Sequence, residues 1–175
     1  MAAAFCTEMR YPMKGYVRKY VNDLADMADL LMEMRCCRLG LWDAQRQEAY
    51  IVPMNYGYQI HGKYGEKLTL YFHTGKGDGR KMRLLRAGGR VSFEIDDGGE
   101  LSASRQVCQC TTVYQSMMGV GTVTFATTDE EKIYALQQIL YHELGEEIPF
   151  FEKSMLDKTE VFWLEVIDWC GKSSE

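Results

Sequence analysis

A glycine-rich segment followed by two adjacent cations is the part of this sequence whose residue types are best suited to chemistry. Gly75, Gly77 and Gly79 precede Arg80 and Lys81. Glycines allow backbone dihedral angles that other residues resist, and they let main-chain N–H groups approach an anion without a Cβ atom in the way. A guanidinium fork and an ammonium point charge beside them can bind a phosphate. These residues therefore indicate a phosphate site, although a solvated turn can have the same composition.

Two predicted strands position this loop. Apolar residues alternate with others from Leu68 to Phe72 and again from Val91 to Ile95, which is the period-2 pattern of strands with one face more buried than the other. Between them, Asp78 is expected to cap a short basic helix that ends at Gly88. Neither the Walker pattern G-x-x-x-x-G-K-[ST] nor the dinucleotide pattern G-x-G-x-x-G occurs here. The spacing alone therefore leaves the ligand open.

His73 lies at the end of the first of these strands and is the only histidine inside the motif. Because the ordinary pKa of histidine is about 6.5, His73 could donate a proton to a reduced substrate near neutral pH. We favour the alternative that it forms a hydrogen bond to backbone or phosphate, since no carboxylate partner is evident nearby in the sequence. His61 and His142 have no motif context, and we expect both on the surface.

Length and charge limit the class of protein. The chain has 175 residues, 46% of them hydrophobic, and a formal net charge of −5. This size favours a single domain over residues 1–175, and the acidic charge argues against a nucleic-acid partner. No apolar run is long enough for a membrane-spanning helix, and the N-terminal segment lacks the apolar core of a signal peptide. We therefore expect a cytoplasmic protein.

The six cysteines do not form a recognisable metal site. Cys36 and Cys37 are adjacent, and Cys108 and Cys110 form one C-x-C pair, but no second pair or histidine cluster completes a zinc pattern. We expect no metal site, and we expect the cysteines to be small, reduced core residues.

The remaining patterns predict many strands and few helices. Helical spacing begins at Asn22, with Asn22 or Asp23 as the N-cap, and a second helix begins with the capping box from Thr128 to Glu131. Residues 1–20 are expected to form an N-terminal arm and residues 171–175 a frayed tail. Strands are predicted near residues 38–42, 48–54, 56–61, 68–72, 91–95, 113–125 and 160–166. This order favours a mainly antiparallel β-barrel with helices packed outside.

Four segments occur in the same order as in a known family. They are CCRLGLWD, YIVPMNYGY, LTLYFHTGKGDGRKMRLLR with RVSFEID, and CQCTTVYQSMMGVGTVTF, and they span Cys36 to Phe125. In these segments the chain resembles the pyridoxamine 5′-phosphate oxidase-like, FMN-binding split-barrel superfamily, in the branch related to NimA nitroimidazole-resistance proteins. The resemblance implies a mainly β fold with peripheral α-helices, an antiparallel split β-barrel of Greek-key type. It also implies a homodimer with the cofactor at the subunit interface.

The resemblance assigns roles to individual residues. It implies that Thr74, Arg80 and Lys81 hold the FMN phosphate, that Gln115 contacts the flavin, and that His73 lies at the edge of the cofactor pocket. It further implies that a strand segment lines the isoalloxazine ring with its backbone, and that segment consists of Pro53, Met54, Asn55 and Tyr56.

The function implied by the resemblance is that of an FMN-dependent oxidoreductase. NAD(P)H would reduce the flavin, which would transfer two electrons to a small acceptor such as a nitroaromatic or a quinone. Two alternatives stay open: a non-catalytic flavin- or haem-binding carrier or sensor, and a reductase that uses the deazaflavin F420. We do not expect pyridoxamine phosphate oxidase activity itself, because the C-terminal segment TEVFWLEVIDWCGKSSE lacks a recognisable substrate-phosphate motif.

Overall fold

The structure is a computed structural model that describes residues 18–102, 111–146 and 150–174. A short 3-10 turn at Ala25–Met27 precedes the first α-helix. Within the described residues the strands and α-helices follow in the order β1 (Arg18–Val21), α1 (Ala28–Glu33), β2 (Cys37–Asp43), β3 (Glu48–Met54), β4 (Gly57–His61), β5 (Lys67–Gly75), α2 (Arg80–Arg86), β6 (Arg90–Asp96), β7 (Glu100–Ser102), β8 (Thr111–Phe125), α3 (Asp129–Leu144), α4 (Lys153–Lys158) and β9 (Thr159–Ser174).

The strands form one antiparallel path in the order β3-β2-β6-β8-β9-β5-β4, with β1 added to β9 and β7 to β8. The path is open, with β3 and β4 at its two ends. The two longest strands, β8 and β9, pair along most of their length, and their register shifts between Val120 and Gly121. Such an irregularity bends a strand and increases its twist. The predicted mainly antiparallel β architecture with peripheral helices is confirmed.

The sheet has two apolar cores, one on each side of β5. The first is enclosed by the curved sheet, where the rings of Phe72 and Phe162 stack with centroids 5.3 Å apart. The second lies between the sheet and α3, where Tyr71 packs with Leu136 and Ile139. This second core explains a difference from the sequence prediction for β5. Five consecutive residues of this strand are buried, because α3 covers the face that was expected to be the more exposed one.

Local signals placed several element ends correctly. The capping box is confirmed, because the Glu131 N–H donates to Thr128 Oγ1 at 3.2 Å and the Thr128 N–H donates to Glu131 Oε2 at 3.2 Å. Gly88 follows α2 with a φ of 76°, which is the expected helix stop. The predicted cap at Asp78 is wrong: Gly79 precedes the helix without a side-chain cap, and the Asp78 carboxylate instead accepts a hydrogen bond from Arg86 at 2.8 Å.

Both ends of the described chain depart from the sequence prediction. Residues 171–174 are not frayed, because β9 continues to Ser174 and pairs there with β8 and β1. The end of the predicted N-terminal arm is likewise a strand from Arg18, whereas residues 1–17 lie outside the described residues. Both segments are held by hydrogen bonds to other strands of the sheet, and the local sequence pattern does not show such pairing. No helix in the described ranges is long and apolar enough to cross a membrane.

The cysteines fall into different environments. Cys36 and Cys37 are free, and Cys37 is buried, as expected for a small core residue. Cys170 is disulfide-bonded, so the prediction of reduced cysteines is wrong for this residue. Cys108 and Cys110 lie outside the described residues. Among the residues that the structure describes, no group of three or more His, Cys, Asp or Glu side chains could hold a metal ion.

Candidate functional site

The end of β5 and the first turn of α2 bring a hydroxyl and an ammonium group together. Lys81 Nζ donates a hydrogen bond to Thr74 Oγ1 at 2.8 Å. Partial burial lowers the pKa of Lys81, since it removes water from the charged group. Within the described part of the chain, no carboxylate forms an ion pair with this ammonium group. We call His73, Thr74, residues 75–79 and Lys81 the loop site.

The three glycines of the loop are not required by the chain itself. Gly75, Gly77 and Gly79 all lack a positive φ, so the expectation that they adopt dihedral angles closed to other residues is wrong. A Cβ added to any of them would meet no atom within 4 Å. At Gly57, by contrast, an added Cβ would lie 2.4 Å from the backbone of Gln138. The loop therefore presents bare backbone to open space, where a ligand can approach it closely.

Arg80 lies beside the loop site but is bound to other residues. Its Nε donates to Asp43 Oδ2 at 2.8 Å and its Nη2 donates to Glu48 Oε1 at 2.7 Å. The guanidinium carbon lies 4.4 Å from the ring centroid of Tyr50, within the range of a cation–π contact. The same Asp43 oxygen accepts from Arg83 Nη2 at 3.0 Å. These contacts tie α2 to β2 and β3.

Asp43 is the centre of this network, and its side chain is fully buried. Burial opposes the charged form, but hydrogen bonds from Arg80 and Arg83 overcome this effect and hold the pKa of Asp43 below its ordinary value. Sequence reasoning missed this residue. A signal was present, because the alternation of Leu39, Leu41 and Asp43 places the carboxylate on the buried face of β2, where it needs cationic partners.

The segment from Pro53 to Tyr56 connects β3 to β4, and side chains from other elements hold it. Asn55 Nδ2 donates to Glu143 Oε1 of α3 at 2.9 Å. The buried Tyr56 hydroxyl donates to the Leu31 carbonyl of α1 at 2.9 Å. Met54 is buried, whereas Pro53 is exposed and pairs in register with Arg38. The backbone of this segment is therefore fixed from two sides.

His142 holds the same segment, and the prediction that it lies on the surface is wrong. Its ring is buried, and Nδ1 lies 2.6 Å from the Tyr56 carbonyl oxygen. Arg35 Nη1 donates to His142 Nε2 at 3.0 Å, which makes Nε2 an acceptor and places the proton on Nδ1. The Nδ1–H group therefore donates to Tyr56. His61, in contrast, is exposed as predicted, and its Nε2 contacts Thr69 Oγ1 at 2.9 Å.

His73 lies at the exposed end of β5, next to Thr74. Partial burial removes water from the imidazole and lowers the pKa of His73. The positive charge of Lys81 lowers this pKa further, whereas the negative charge of Glu143 raises it. The imidazole is therefore predominantly neutral at pH 7, because its pKa lies below the ordinary value of 6.5.

Gln115 is distant from the loop site within one chain. It pairs in register with Ser173 of β9, whereas Thr74 pairs with Glu160 near the opposite end of that strand. The Gln115 backbone is bound to Asp97, whose carboxylate accepts from its N–H at 2.9 Å. The structure thus brings Thr74 and Lys81 into contact and places His73 next to Thr74 along β5, where it feels the charge of Lys81. Arg80 lies beside them, and Gln115 lies apart.

The outer face of β2 and β3 carries exposed apolar side chains. Trp42 is 61% exposed and Ile51 is 58% exposed. Next to them is an open cavity of about 260 Å³, which is lined by Arg38, Gly40, Ile51, Ser92, Phe93 and Glu94. Exposed apolar side chains around a depression are typical of interaction surfaces.

One family of known proteins matches most of the chain. Residues 23–164 match the sequence model of the family described as pyridoxamine 5′-phosphate oxidase. No curated protein matches the chain.

Solved structures share the fold. A proposed 5-nitroimidazole antibiotic resistance protein from Bacteroides thetaiotaomicron has a TM-score of 0.76 at 25% identity, over 92% of this chain and 90% of that one. An FAD and haem binding protein from Mycobacterium smegmatis has a TM-score of 0.75 at 18% identity, over 90% of this chain and 74% of that one. The flavocytochrome Anf3 from Azotobacter vinelandii has a TM-score of 0.67 at 14% identity, over 88% of this chain and 68% of that one. The chain therefore belongs to the pyridoxamine 5′-phosphate oxidase family of split-barrel proteins, in the branch related to nitroimidazole-resistance proteins.

Proposed function

We propose that this protein is a flavin-dependent oxidoreductase that binds FMN at the loop site, takes electrons from NAD(P)H and reduces a small acceptor such as a nitroaromatic or a quinone. The observation that carries the proposal is the contact between Lys81 Nζ and Thr74 Oγ1 at 2.8 Å, on a loop of bare glycine backbone. A cation that has no carboxylate partner among the described residues, beside a hydroxyl and open glycine backbone, suits an anionic ligand.

The donor set fits the phosphate of FMN. The Lys81 ammonium group and the Thr74 hydroxyl are close enough to each other to contact one phosphate group together. Burial lowers the pKa of Lys81 because it removes water from the ammonium group. A bound phosphate would stabilise the charged form of this group again. At each loop glycine the space that a Cβ atom would occupy is open, so a ligand can approach the backbone closely there.

The strand end beside the loop site is suited to hold a flat ring. Hydrogen bonds from His142 and to Glu143 fix the backbone of the Asn55–Tyr56 segment, so its main-chain groups would need little rearrangement to meet a ligand. A bound flavin would supply the hydride and two-electron chemistry. His73, neutral near pH 7, would provide a hydrogen bond at the edge of the pocket and could return a proton to a reduced acceptor.

The comparisons support the choice of ligand and acceptor. Two of the similar structures are described as an FAD and haem binding protein and as a flavocytochrome, so their names place flavins on this fold. A third is described as a 5-nitroimidazole antibiotic resistance protein, which makes nitroaromatic compounds a reasonable first acceptor.

We further propose a homodimer in which each flavin contacts both subunits. The exposed Trp42 and Ile51 on the outer face of β2 and β3 would be covered by a second copy of the chain. The position of Gln115 supports the same arrangement. Since Gln115 lies near the opposite end of β9 from Thr74, it could contact the same flavin only from the other subunit.

An absorption spectrum tests the proposal directly. The protein as purified, or after incubation with FMN and removal of excess ligand, is expected to show a flavin spectrum. Anaerobic addition of NADH or NADPH should then bleach this spectrum, and a nitroaromatic or quinone should restore it. Protein that stays colourless after incubation with excess FMN would contradict the proposal.

A second candidate is a flavin- or haem-binding carrier or sensor without turnover, favoured by the two haem-related names among the similar structures. It predicts a bound flavin, or a Soret band after addition of haem, but no acceleration of NAD(P)H oxidation by any acceptor. A third candidate, an F420-dependent reductase, predicts that the deazaflavin binds in preference to FMN. The same set of spectra separates all three.

A further inference from the structure

We propose that Glu143, in the last turn of α3, is a positioning residue for His73: one oxygen of its carboxylate holds Asn55, and the other pairs with the imidazole when the ring carries a proton. The inference rests on the proposed function, in which His73 returns a proton to a reduced acceptor. Reduction of a quinone to a hydroquinone takes up one hydride, which the flavin supplies, and one proton, which the imidazolium supplies. His73 then becomes neutral and takes a proton back from water.

His73 lies on the face of β5 that α3 covers. Successive side chains of a strand point to opposite faces of the sheet, so His73 shares a face with Tyr71. Tyr71 packs in one core with Leu136 and Ile139 of α3, and the last turn of the same helix contains Glu143. The imidazole and the carboxylate therefore belong to two elements that pack on each other.

Asn55 fixes the position of the carboxylate. Gly57 of β4 pairs in register with Tyr71 of β5. Two residues beyond this pair, the chain reaches Asn55 on one side and His73 on the other. Asn55 Nδ2 donates to Glu143 Oε1 at 2.9 Å, so the carboxylate is held at the edge of the segment proposed to line the flavin ring.

The second oxygen of Glu143 is available to a cation. In the described ranges Glu143 forms no ion pair, and its Oε2 accepts no hydrogen bond. A carboxylate in the last turn of a helix faces the negative end of the helix dipole, so this position does not stabilise α3. An imidazolium at His73 would offset the repulsion and would in turn be stabilised by the carboxylate.

The charges that act on His73 oppose each other. Burial lowers the pKa of His73, the charge of Lys81 lowers it further, and the charge of Glu143 raises it. On β9, Glu160 lies next to the residue that pairs with His73, but its carboxylate accepts from Arg86 Nη2 at 3.5 Å. Among the described residues, Glu143 is therefore the carboxylate that favours the protonated ring.

The experiment follows the protonation of His73 itself. The chain has three histidines, so the imidazole Cε1–Hε1 signals of the purified protein can be followed in proton–carbon correlation spectra from about pH 5 to about pH 8.5. His73→Gln identifies the His73 signal. Glu143→Gln removes the charge but keeps an oxygen that can accept from Asn55. The His73 midpoint should therefore move to lower pH in this variant, whereas the His61 midpoint should not move.

Glu146→Gln is the matched control, because Glu146 is exposed and lies just beyond the end of α3. It should leave the His73 midpoint unchanged. Glu143→Asp retains the charge and should keep the midpoint closer to wild type than Glu143→Gln does. Equal His73 midpoints in wild type and Glu143→Gln, or an equal shift in Glu146→Gln, would overturn the inference.

A kinetic measurement separates this inference from the proposed function. In protein reduced anaerobically with NADH or NADPH, the rate of quinone reduction should fall as pH rises through the His73 midpoint. In Glu143→Gln this fall should occur at the lower pH that the spectra give. The same pH dependence in both proteins would overturn the role of Glu143 and leave the proposed function intact. Protein that binds no flavin would end the proposed function and the proton-transfer role with it, while the spectra would still show whether the two side chains pair.

Discussion

The imidazole of His142 and the backbone carbonyl of Tyr56 form a 2.6 Å hydrogen bond that joins the last turn of α3 to the bend between β3 and β4. The bond is buried, and Arg35 fixes the tautomer that makes it. A helix that packs on the outside of the sheet thus sets the conformation of the segment proposed to line the flavin ring.

Replacement of His142 by leucine should destabilise the protein. The change leaves the Tyr56 carbonyl without its donor in a buried position, which costs about 1 to 3 kcal/mol. Urea unfolding of the apoprotein measures the loss. His61→Leu is the comparison: His61 is exposed and its contact with Thr69 is only partly buried, so this change should cost less unfolding free energy than His142→Leu. Equal stability of the two variants would show that the Tyr56 bond does not stabilise the fold.

The stability contributed by Asp43 should depend on pH in the acid range. A carboxyl group whose folded pKa lies below its ordinary value of 3.8 stabilises the protein above that value and loses the effect as pH falls through the folded pKa. Asp43→Asn should therefore be less stable than wild type at pH 6, and the difference should shrink below about pH 3.8.

Urea midpoints measured from pH 6 to pH 2.5 in both proteins give this comparison. Glu33→Gln, which changes an exposed carboxylate of α1, is the control and should change the urea midpoint little at pH 6. A difference between Asp43→Asn and wild type that stays constant to pH 2.5 would contradict the assignment.

Removal of the Glu48 charge should strengthen FMN binding. Glu48 is half exposed and bonds Arg80 Nη2 at 2.7 Å. Glu48→Gln removes a negative charge near the loop site and frees part of the guanidinium fork, so FMN affinity should rise several-fold while riboflavin affinity stays constant. Glu66→Gln provides a control, because Glu66 lies in the turn between β4 and β5. Weaker FMN binding in Glu48→Gln would show that the ion pair between Glu48 and Arg80 helps to hold the loop site and does not oppose FMN binding.

Two glycine variants should separate ligand binding from folding. Gly57→Ala would place its Cβ 2.4 Å from the Gln138 backbone, and it should cost about 3 kcal/mol or more in unfolding free energy. Gly79→Ala meets no atom within 4 Å, so it should unfold as wild type does. If the loop approaches a phosphate closely, Gly79→Ala should still weaken FMN binding. Unchanged FMN affinity would show that the ligand does not reach this part of the loop.

The proposed dimer can be tested on the outer face of β2 and β3. Ile51→Arg places a charge among exposed apolar side chains and should convert a dimer into a monomer in sedimentation velocity. Tyr64→Arg is a matched control, since Tyr64 is 82% exposed and lies in the turn after β4. A wild-type monomer, or a dimer unaffected by Ile51→Arg, would contradict the proposed interface.

Local patterns predicted those features whose determinants lie close together in sequence. The capping box joins Thr128 and Glu131, and the patterns that predicted β5 and β6 as strands each lie within a few residues, so these elements could be predicted, although the exposed face expected for β5 was not found. The proximity of His73, Thr74 and Lys81 also follows from one short connection.

Features that depend on distant pairing could not be predicted in the same way. Asp43 binds Arg80, 37 positions along the chain, and His142 binds Tyr56, 86 positions away. Which cation meets a buried carboxylate, and which face of β5 a helix covers, depend on sheet topology, which local periodicity does not specify. For the same reason the sequence assigned Arg80 and Lys81 one role, although their partners in the structure differ.

The position of β9 has a consequence for how this protein is made. This strand pairs with β1, β5 and β8, yet it follows all of them along the chain. During synthesis, the edges of β1, β5 and β8 that pair with β9 stay unpaired until the ribosome has released β9. Exposed strand edges of this kind favour aggregation. Production of the protein should therefore respond to chaperone supply and to slower translation at lower temperature.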